Sequence, residues 1–119
     1  EEVQKRFPEA YARWRADSLR HRPPGGETIE ALHQRAAAVF DRVLARHAGE
    51  CVALVTHGGP IRILVLHALG APLSSYPCLS LANASLTLIE VSPEGPLLTF
   101  YNLVPTPQDG ESGAENPPA

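Results

Sequence analysis

His57 is the residue whose type and surroundings best suit chemistry in this chain. It is followed by Gly58 and Gly59, which we expect to let the backbone turn sharply and approach a ligand closely. A helix that begins after such a turn offers free N–H groups and the positive end of its dipole to an anion. We therefore expect His57 to act on a phosphate or another oxyanion that Gly58 and Gly59 help to bind.

The segments on either side of His57 predict a strand and a helix. Residues 51–56 are mostly apolar, as is typical of a central strand covered on both faces. Residues 60–69 are apolar almost all round, which predicts a buried helix with Pro60 in its first turn and Gly70 at its end. Ligand crevices form at the carboxyl ends of strands in open α/β sheets, which is where this arrangement places His57.

A second group of candidates lies in the loop before the longest predicted helix. Arg20, His21 and Arg22 follow one another there. They could face an anionic substrate, but the prolines and glycines of this loop are also typical of a plain helix entry, and composition favours that interpretation. The role of Arg62 is also undecided from the sequence, since it could pair with an acid or reach a ligand.

Two other kinds of site are disfavoured. His33, His47 and His67 lack the close spacing of metal ligands on a helix, so we expect no metal site. The His-Gly-Gly turn also resembles the oxyanion-hole turn of α/β-hydrolase esterases, which requires a later G-x-S-x-G element and a later histidine. The sequence offers only G-E-S-G at residues 110–113 and no histidine beyond His67, which excludes the esterase interpretation.

The remaining pattern predicts an α/β fold. The predicted elements are a helical region 1–16 broken at Pro8, a helix 29–47 capped by Thr28, a hairpin of strands 85–92 and 97–103, and a disordered tail, 105–119. Sheets of this class usually begin with a strand, whereas this chain begins with helices. We therefore expect the first strand and its helix to be missing and the fold to be incomplete.

Length and composition narrow the possible classes of protein. The chain has 119 residues, enough for a single core. The net charge is −3, and the basic residues of the first half are interleaved with acids, which disfavours nucleic acid as a partner. No apolar run is long enough to span a membrane. Cys51 and Cys78 do not form a disulfide framework, so we expect buried free thiols in a cytoplasmic protein.

Two motifs together resemble a known family. The run T-H-G-G-P-I-R at residues 56–62 and the run P-G-G-E-T at residues 24–28 resemble the histidine phosphatase superfamily, also called phosphoglycerate mutase-like. Within it, the pattern is most similar to the branch that includes α-ribazole phosphatase and broad-specificity phosphatases. The likeness covers residues 1–104 and includes the closing segments 83–89 and 100–102. It implies a three-layer α/β/α fold.

The resemblance also implies an activity and a role for His57. Members hydrolyse small phosphomonoesters through a phosphohistidine, without a metal or organic cofactor. Their nucleophile is a histidine in an R-H-G motif, and a second histidine and arginines hold the phosphoryl oxygens. His57 matches that second histidine, with Gly58 and Gly59 beside it and Gly26 and Glu27 as further candidates for phosphate binding.

The sequence contains no R-H-G motif, and this leaves two hypotheses. In the first, this chain is the C-terminal part of a phosphatase and supplies only His57 to the pocket. In the second, it is a truncated or degenerate relative that at most binds an anion or a partner. We also expect the strand 51–56 to have an unpaired edge, which would favour a homodimer or self-association.

Overall fold

The computed structural model describes residues 1–17, 19–22 and 25–106. The described elements are helices α1 (Glu2–Arg6), α2 (Pro8–Ala16), α3 (Ile29–Arg46) and α4 (Gly58–Leu69), a 3₁₀ helix (Leu73–Cys78), and strands β1 (Leu86–Ser92) and β2 (Gly95–Leu103). Within those ranges no helix combines the length and the hydropathy that crossing a bilayer requires. The predicted tail beyond residue 106 lies outside the described residues.

The first helical region is divided at Pro8, as the sequence predicts. Pro8 is the first residue of α2, where a missing backbone N–H costs nothing because that group has no helical partner. The apolar stripe of this region stays partly open to solvent, with Val3 42% and Phe7 47% exposed. Tyr11 and Trp14 pack against each other, with ring centroids 5.6 Å apart.

Helix α3 follows the sequence prediction closely, because its signals are local. The hydroxyl oxygen of Thr28 accepts a 3.0 Å hydrogen bond from the amide of Ala31, so Thr28 caps the helix as expected. The helix ends at Arg46, with His47 as its C-cap. The core forms where α3 packs on α4, and its buried apolar side chains are Ala37, Phe40, Ile63, Val65 and Leu66.

Helix α4 begins at Gly58, two residues before the predicted start. Pro60 is consequently its third residue, still among the first four positions, whose N–H groups have no helical acceptor. The helix ends at Gly70 as predicted: Gly70 adopts a left-handed conformation, and the amide of Ala71 donates to the carbonyl of Leu66 at 2.9 Å. The helix is only partly buried, since Leu69 is 44% exposed.

The predicted strand 51–56 does not form among the described residues. Residues 51–57 have no helix or strand assignment, all seven are exposed, and Val55 is 99% exposed. A strand needs a neighbouring strand to receive its backbone hydrogen bonds, and within the described ranges β1 and β2 pair only with each other. The expected burial of the thiols is also wrong, because Cys51 and Cys78 are both exposed, and both are free.

The hairpin of β1 and β2 is antiparallel, as predicted, and its turn is tighter than the sequence suggests. Ser92 pairs with Gly95, so only two residues connect the strands. Gly95 has a φ of 121°, which a residue with a side chain rarely adopts, and this explains a glycine at that point. The hairpin and the 3₁₀ helix both contact α4.

Candidate functional site

His57 lies at the point where the exposed segment 51–57 enters α4. It is the N-cap residue of the helix, with an extended backbone (φ −136°, ψ −176°), and its carbonyl accepts a 3.2 Å hydrogen bond from the amide of Ile61. Its side chain is exposed and makes no hydrogen bond with the part of the chain that the structure describes. The imidazole is thus available to a ligand at the positive end of a twelve-residue helix.

Gly58 and Gly59 form the first two residues of α4 and do not make a sharp turn, contrary to the sequence expectation. Neither has a positive φ. A methyl group at Gly58 would lie 3.9 Å from Leu81, and one at Gly59 would lie 3.5 Å from both Leu32 and the hydroxyl of Tyr76, which are ordinary contacts. Neither the backbone conformation nor the packing within the chain therefore requires glycine at these positions.

Gly26 and Glu27 lie immediately before the cap of α3. The Glu27 carboxylate accepts two hydrogen bonds from Arg35, at 3.0 and 3.1 Å, and this hydrogen bonding, more than the charge of Arg35, holds the pKa of Glu27 below its ordinary value. Among the described residues, no hydrogen bond links either residue to the His57 turn. The predicted site residues therefore fall into two groups that the described hydrogen bonds do not join.

The basic loop has a concave surface of its own. Arg20, His21 and Arg22 line a cavity together with Arg13 of α2. The ring Nδ1 of His21 lies 3.2 Å from the carbonyl oxygen of Asp17, so this histidine can form a hydrogen bond with a nearby residue of the chain. His57 is not among the described residues that line this cavity.

Arg62, whose partner the sequence left open, bonds to carbonyl and hydroxyl oxygens. Its guanidinium donates to the carbonyls of Gly58 and Leu79 and to the hydroxyl of Tyr76. No ion pair joins it to an acid within the described ranges. These partners lie up to 17 residues away along the chain, and no sequence spacing predicts them.

A chain of three polar side chains links α3 to α4 and was not foreseen from the sequence. Nε2 of His67 lies 2.9 Å from the carboxylate of Asp41, which can only accept, so that nitrogen carries the proton. Nδ1 of the same ring lies 3.4 Å from Nε2 of His33, within hydrogen-bond distance. The residues that the structure describes hold no cluster of three or more side chains suited to a metal ion.

The chain resembles known proteins over most of its length. A family description, "Histidine phosphatase superfamily (branch 1)", matches residues 1–104. Phosphoserine phosphatase 1 of Hydrogenobacter thermophilus is 27% identical over 103 residues, a match that covers 87% of this chain and 49% of that protein. The chain thus spans about half the length of this curated relative.

Solved structures give the same result for the fold. YhfR of Bacillus stearothermophilus superimposes with a TM-score of 0.74 at 26% identity, covering 87% of this chain and 52% of that one. The α-ribazole phosphatase of Shigella flexneri superimposes with a TM-score of 0.76 at 19% identity, covering 90% and 54%. The fold is therefore that of the phosphoglycerate mutase-like phosphatases. The match over residues 1–104 makes this chain a member of the histidine phosphatase superfamily, branch 1.

Proposed function

We propose that this chain supplies His57 to the active site of a phosphatase that hydrolyses small phosphomonoesters. The single observation that carries the proposal is the exposed imidazole of His57 at the N-terminus of α4, followed by two glycines that neither conformation nor packing requires. In a helix, glycine is up to about 1 kcal/mol less favourable than alanine. A ligand that must approach the backbone closely gives a reason to keep both glycines.

The proposed role of His57 is electrostatic. The transferred phosphoryl group carries negative charge that is spread over its oxygens in the transition state, and positioned N–H donors stabilise it there. The imidazole N–H of His57 and the free amides at the start of α4 are such donors. The resemblance assigns the nucleophile to a histidine of an R-H-G motif, which this sequence lacks. That histidine would displace the alcohol, and water would then release phosphate from the phosphohistidine.

The names of relatives support a substrate class and no particular substrate. One relative is called a phosphoserine phosphatase and one structural neighbour an α-ribazole phosphatase, so the proposed substrate is a small phosphomonoester. Gly26 and Glu27 are proposed as secondary contacts, although Glu27 would have to act while paired with Arg35. We further propose a cytoplasmic protein that needs no metal or organic cofactor.

The alternative proposal is a relative that binds an anion without catalysis. It is favoured by one observation, the lack of an R-H-G motif in the sequence. Both proposals predict an anion at His57, and only the first predicts turnover. The two are therefore separable by a single assay of the full-length protein.

The assay follows phosphate release by the full-length protein from a panel of small phosphomonoesters, with and without a strong metal chelator. The phosphatase proposal predicts turnover that the chelator does not reduce, and an acid-labile phosphoryl group on the protein during turnover. Binding of inorganic phosphate without release from any ester would support the alternative. Turnover that the chelator abolishes would contradict a metal-independent mechanism.

A further inference from the structure

The guanidinium of Arg62 is bonded through all three of its nitrogens. Nε donates to the carbonyl of Gly58 at 3.2 Å, one terminal nitrogen donates to the carbonyl of Leu79 at 3.3 Å, and the other donates to the hydroxyl of Tyr76 at 2.6 Å. The guanidinium carbon also lies 4.0 Å from the centre of the Tyr76 ring, within the range of a cation–π contact. These contacts fix the orientation of the Arg62 guanidinium, and the side chain is partly buried.

These bonds join the first turn of α4 to the 3₁₀ helix. Gly58 directly follows His57, while Tyr76 lies in the 3₁₀ helix and Leu79 just beyond it. The Tyr76 hydroxyl also lies against Gly59, 3.5 Å from where a methyl group on that residue would be. Arg62 therefore bonds to the carbonyl oxygen of Gly58, and the Tyr76 hydroxyl lies close to Gly59.

The first turn of α4 begins with two glycines, so side-chain bonds can restrain its backbone. Glycine backbones are conformationally free, and the amides of a first turn have no helical acceptor to hold them. The amide of Ile61 donates to the carbonyl of His57 at 3.2 Å, and this bond joins His57 to the first turn. Without the side-chain bonds of Arg62, the turn would fray readily.

We propose that Arg62, supported by Tyr76, is a positioning residue that fixes His57 and the first amides of α4 in the direction of the phosphoryl group. The proposal rests on the function proposed above for His57. The proposed role does not require contact with the ligand, because three of the five guanidinium N–H groups already donate to oxygens of this chain. It differs from a general stabilising role, because it predicts a loss of turnover that acts through the first turn of α4.

Two variants of the full-length protein test the anchor. Tyr76→Phe keeps the ring under the guanidinium and removes only the hydroxyl, so it should fold, and Arg62→Lys keeps the charge and loses the fork of donors. Both should speed hydrogen exchange of the Ile61 amide about tenfold, as expected for local opening. The Ala71 amide, which bonds to Leu66 at the other end of α4, should exchange as in the wild type. The control is Arg35→Lys, which makes the same change at the arginine of α3 that pairs with Glu27. It should leave the hydrogen exchange of both amides unchanged.

Steady-state kinetics test positioning. A displaced His57 should lower kcat about 10- to 100-fold in both variants, since small displacements of a catalytic group cost that much. KM should change less than kcat, because donors that act mainly in the transition state affect turnover more than substrate binding. The thermal midpoint should change little, because the side chains of the core are intact. Faster Ile61 exchange with unchanged kcat would overturn the proposal, and so would unchanged exchange. If the wild-type protein hydrolyses no phosphomonoester, the proposed function fails, and the Ile61 exchange rate still decides whether Arg62 and Tyr76 anchor the turn.

Discussion

Glu27 and Arg35 face each other at the start of α3 through two hydrogen bonds, from Nε to one carboxylate oxygen at 3.1 Å and from a terminal nitrogen to the other at 3.0 Å. Such a bidentate pair fixes the direction of both side chains. It joins the residue before the Thr28 cap to the second turn of the helix. Glu27, a candidate for phosphate binding in the sequence, is thus already occupied by a cation of its own chain.

This pair predicts a loss of stability in acid. Because Arg35 lowers the pKa of Glu27 in the folded protein below the ordinary 4.5, the pair contributes stability above that pH. The contribution is lost as pH falls below about 4.5 and through the lowered pKa of the folded state. Denaturant unfolding at a series of pH values should show a smaller acid loss in Glu27→Gln and in Arg35→Gln than in the wild type. An unchanged acid loss in both variants would contradict this.

Removing the cap of α3 should destabilise the fold measurably. Thr28→Ala deletes the oxygen that accepts from the Ala31 amide, and loss of such a cap costs about 1 kcal/mol of the free energy of unfolding. Thr28→Ser keeps an equivalent oxygen and serves as the matched control. Urea denaturation should separate the two variants by most of that amount; equal midpoints would show that the cap does not contribute.

Tyr101 should tolerate the loss of its hydroxyl. That oxygen is buried and has no hydrogen-bond partner within the described residues. Burying an unpaired hydroxyl costs free energy, so Tyr101→Phe should be neutral or stabilising by up to about 1 kcal/mol. Thermal unfolding checks this, and a large loss of stability would show that the hydroxyl has a partner.

The same residue predicts an effect of alkaline pH. Burial raises the pKa of Tyr101 above its ordinary 10.0, although the nearby charge of Arg62 opposes the shift. The unfolded chain therefore loses this proton first, and the protein should lose stability as pH rises above about 10. Tyr101→Phe removes the group and should flatten that part of the stability profile. The same slope in both proteins would rule out this residue as its cause.

Gly59→Ala should separate ligand binding from folding. The backbone at Gly59 is ordinary helix, and a methyl group there meets Leu32 and Tyr76 at 3.5 Å without a clash, so stability should be unchanged or higher. If a phosphoryl group approaches this backbone, inhibition by inorganic phosphate should weaken about tenfold, or about 1.4 kcal/mol. Gly58→Ala tests the neighbouring residue in the same way. Unchanged phosphate inhibition in both would show that no ligand touches these residues.

The sequence predicts well those features that depend on near neighbours. Thr28 begins α3 and Gly70 ends α4 as expected, and Pro8 divides the first helical region. These features are predictable because caps, left-handed glycines and prolines act over a few residues. The hairpin was found for the same reason. Its turn is shorter than predicted, because strand pairing extends to the glycine at position 95.

Features that depend on distant partners were missed or left open. The apolar residues 51–56 predict a strand, but a strand forms only beside another strand, and β1 and β2 pair with each other. The bond between His33 and His67 spans 34 residues, and the bonds of Arg62 to Tyr76 and Leu79 span 14 and 17. His57 itself was found because its glycines and helix follow directly in the chain.

The measurement that tests the central claim most directly is the turnover of His57→Ala in the full-length protein, compared with His47→Ala. His47 is also exposed and at a helix end, but it pairs with Glu50 and has no proposed role. We predict that His57→Ala lowers kcat/KM at least about 100-fold with an unchanged thermal midpoint, and that His47→Ala turns over normally. Near-normal turnover in a folded His57→Ala protein would contradict the assignment of this histidine to the active site.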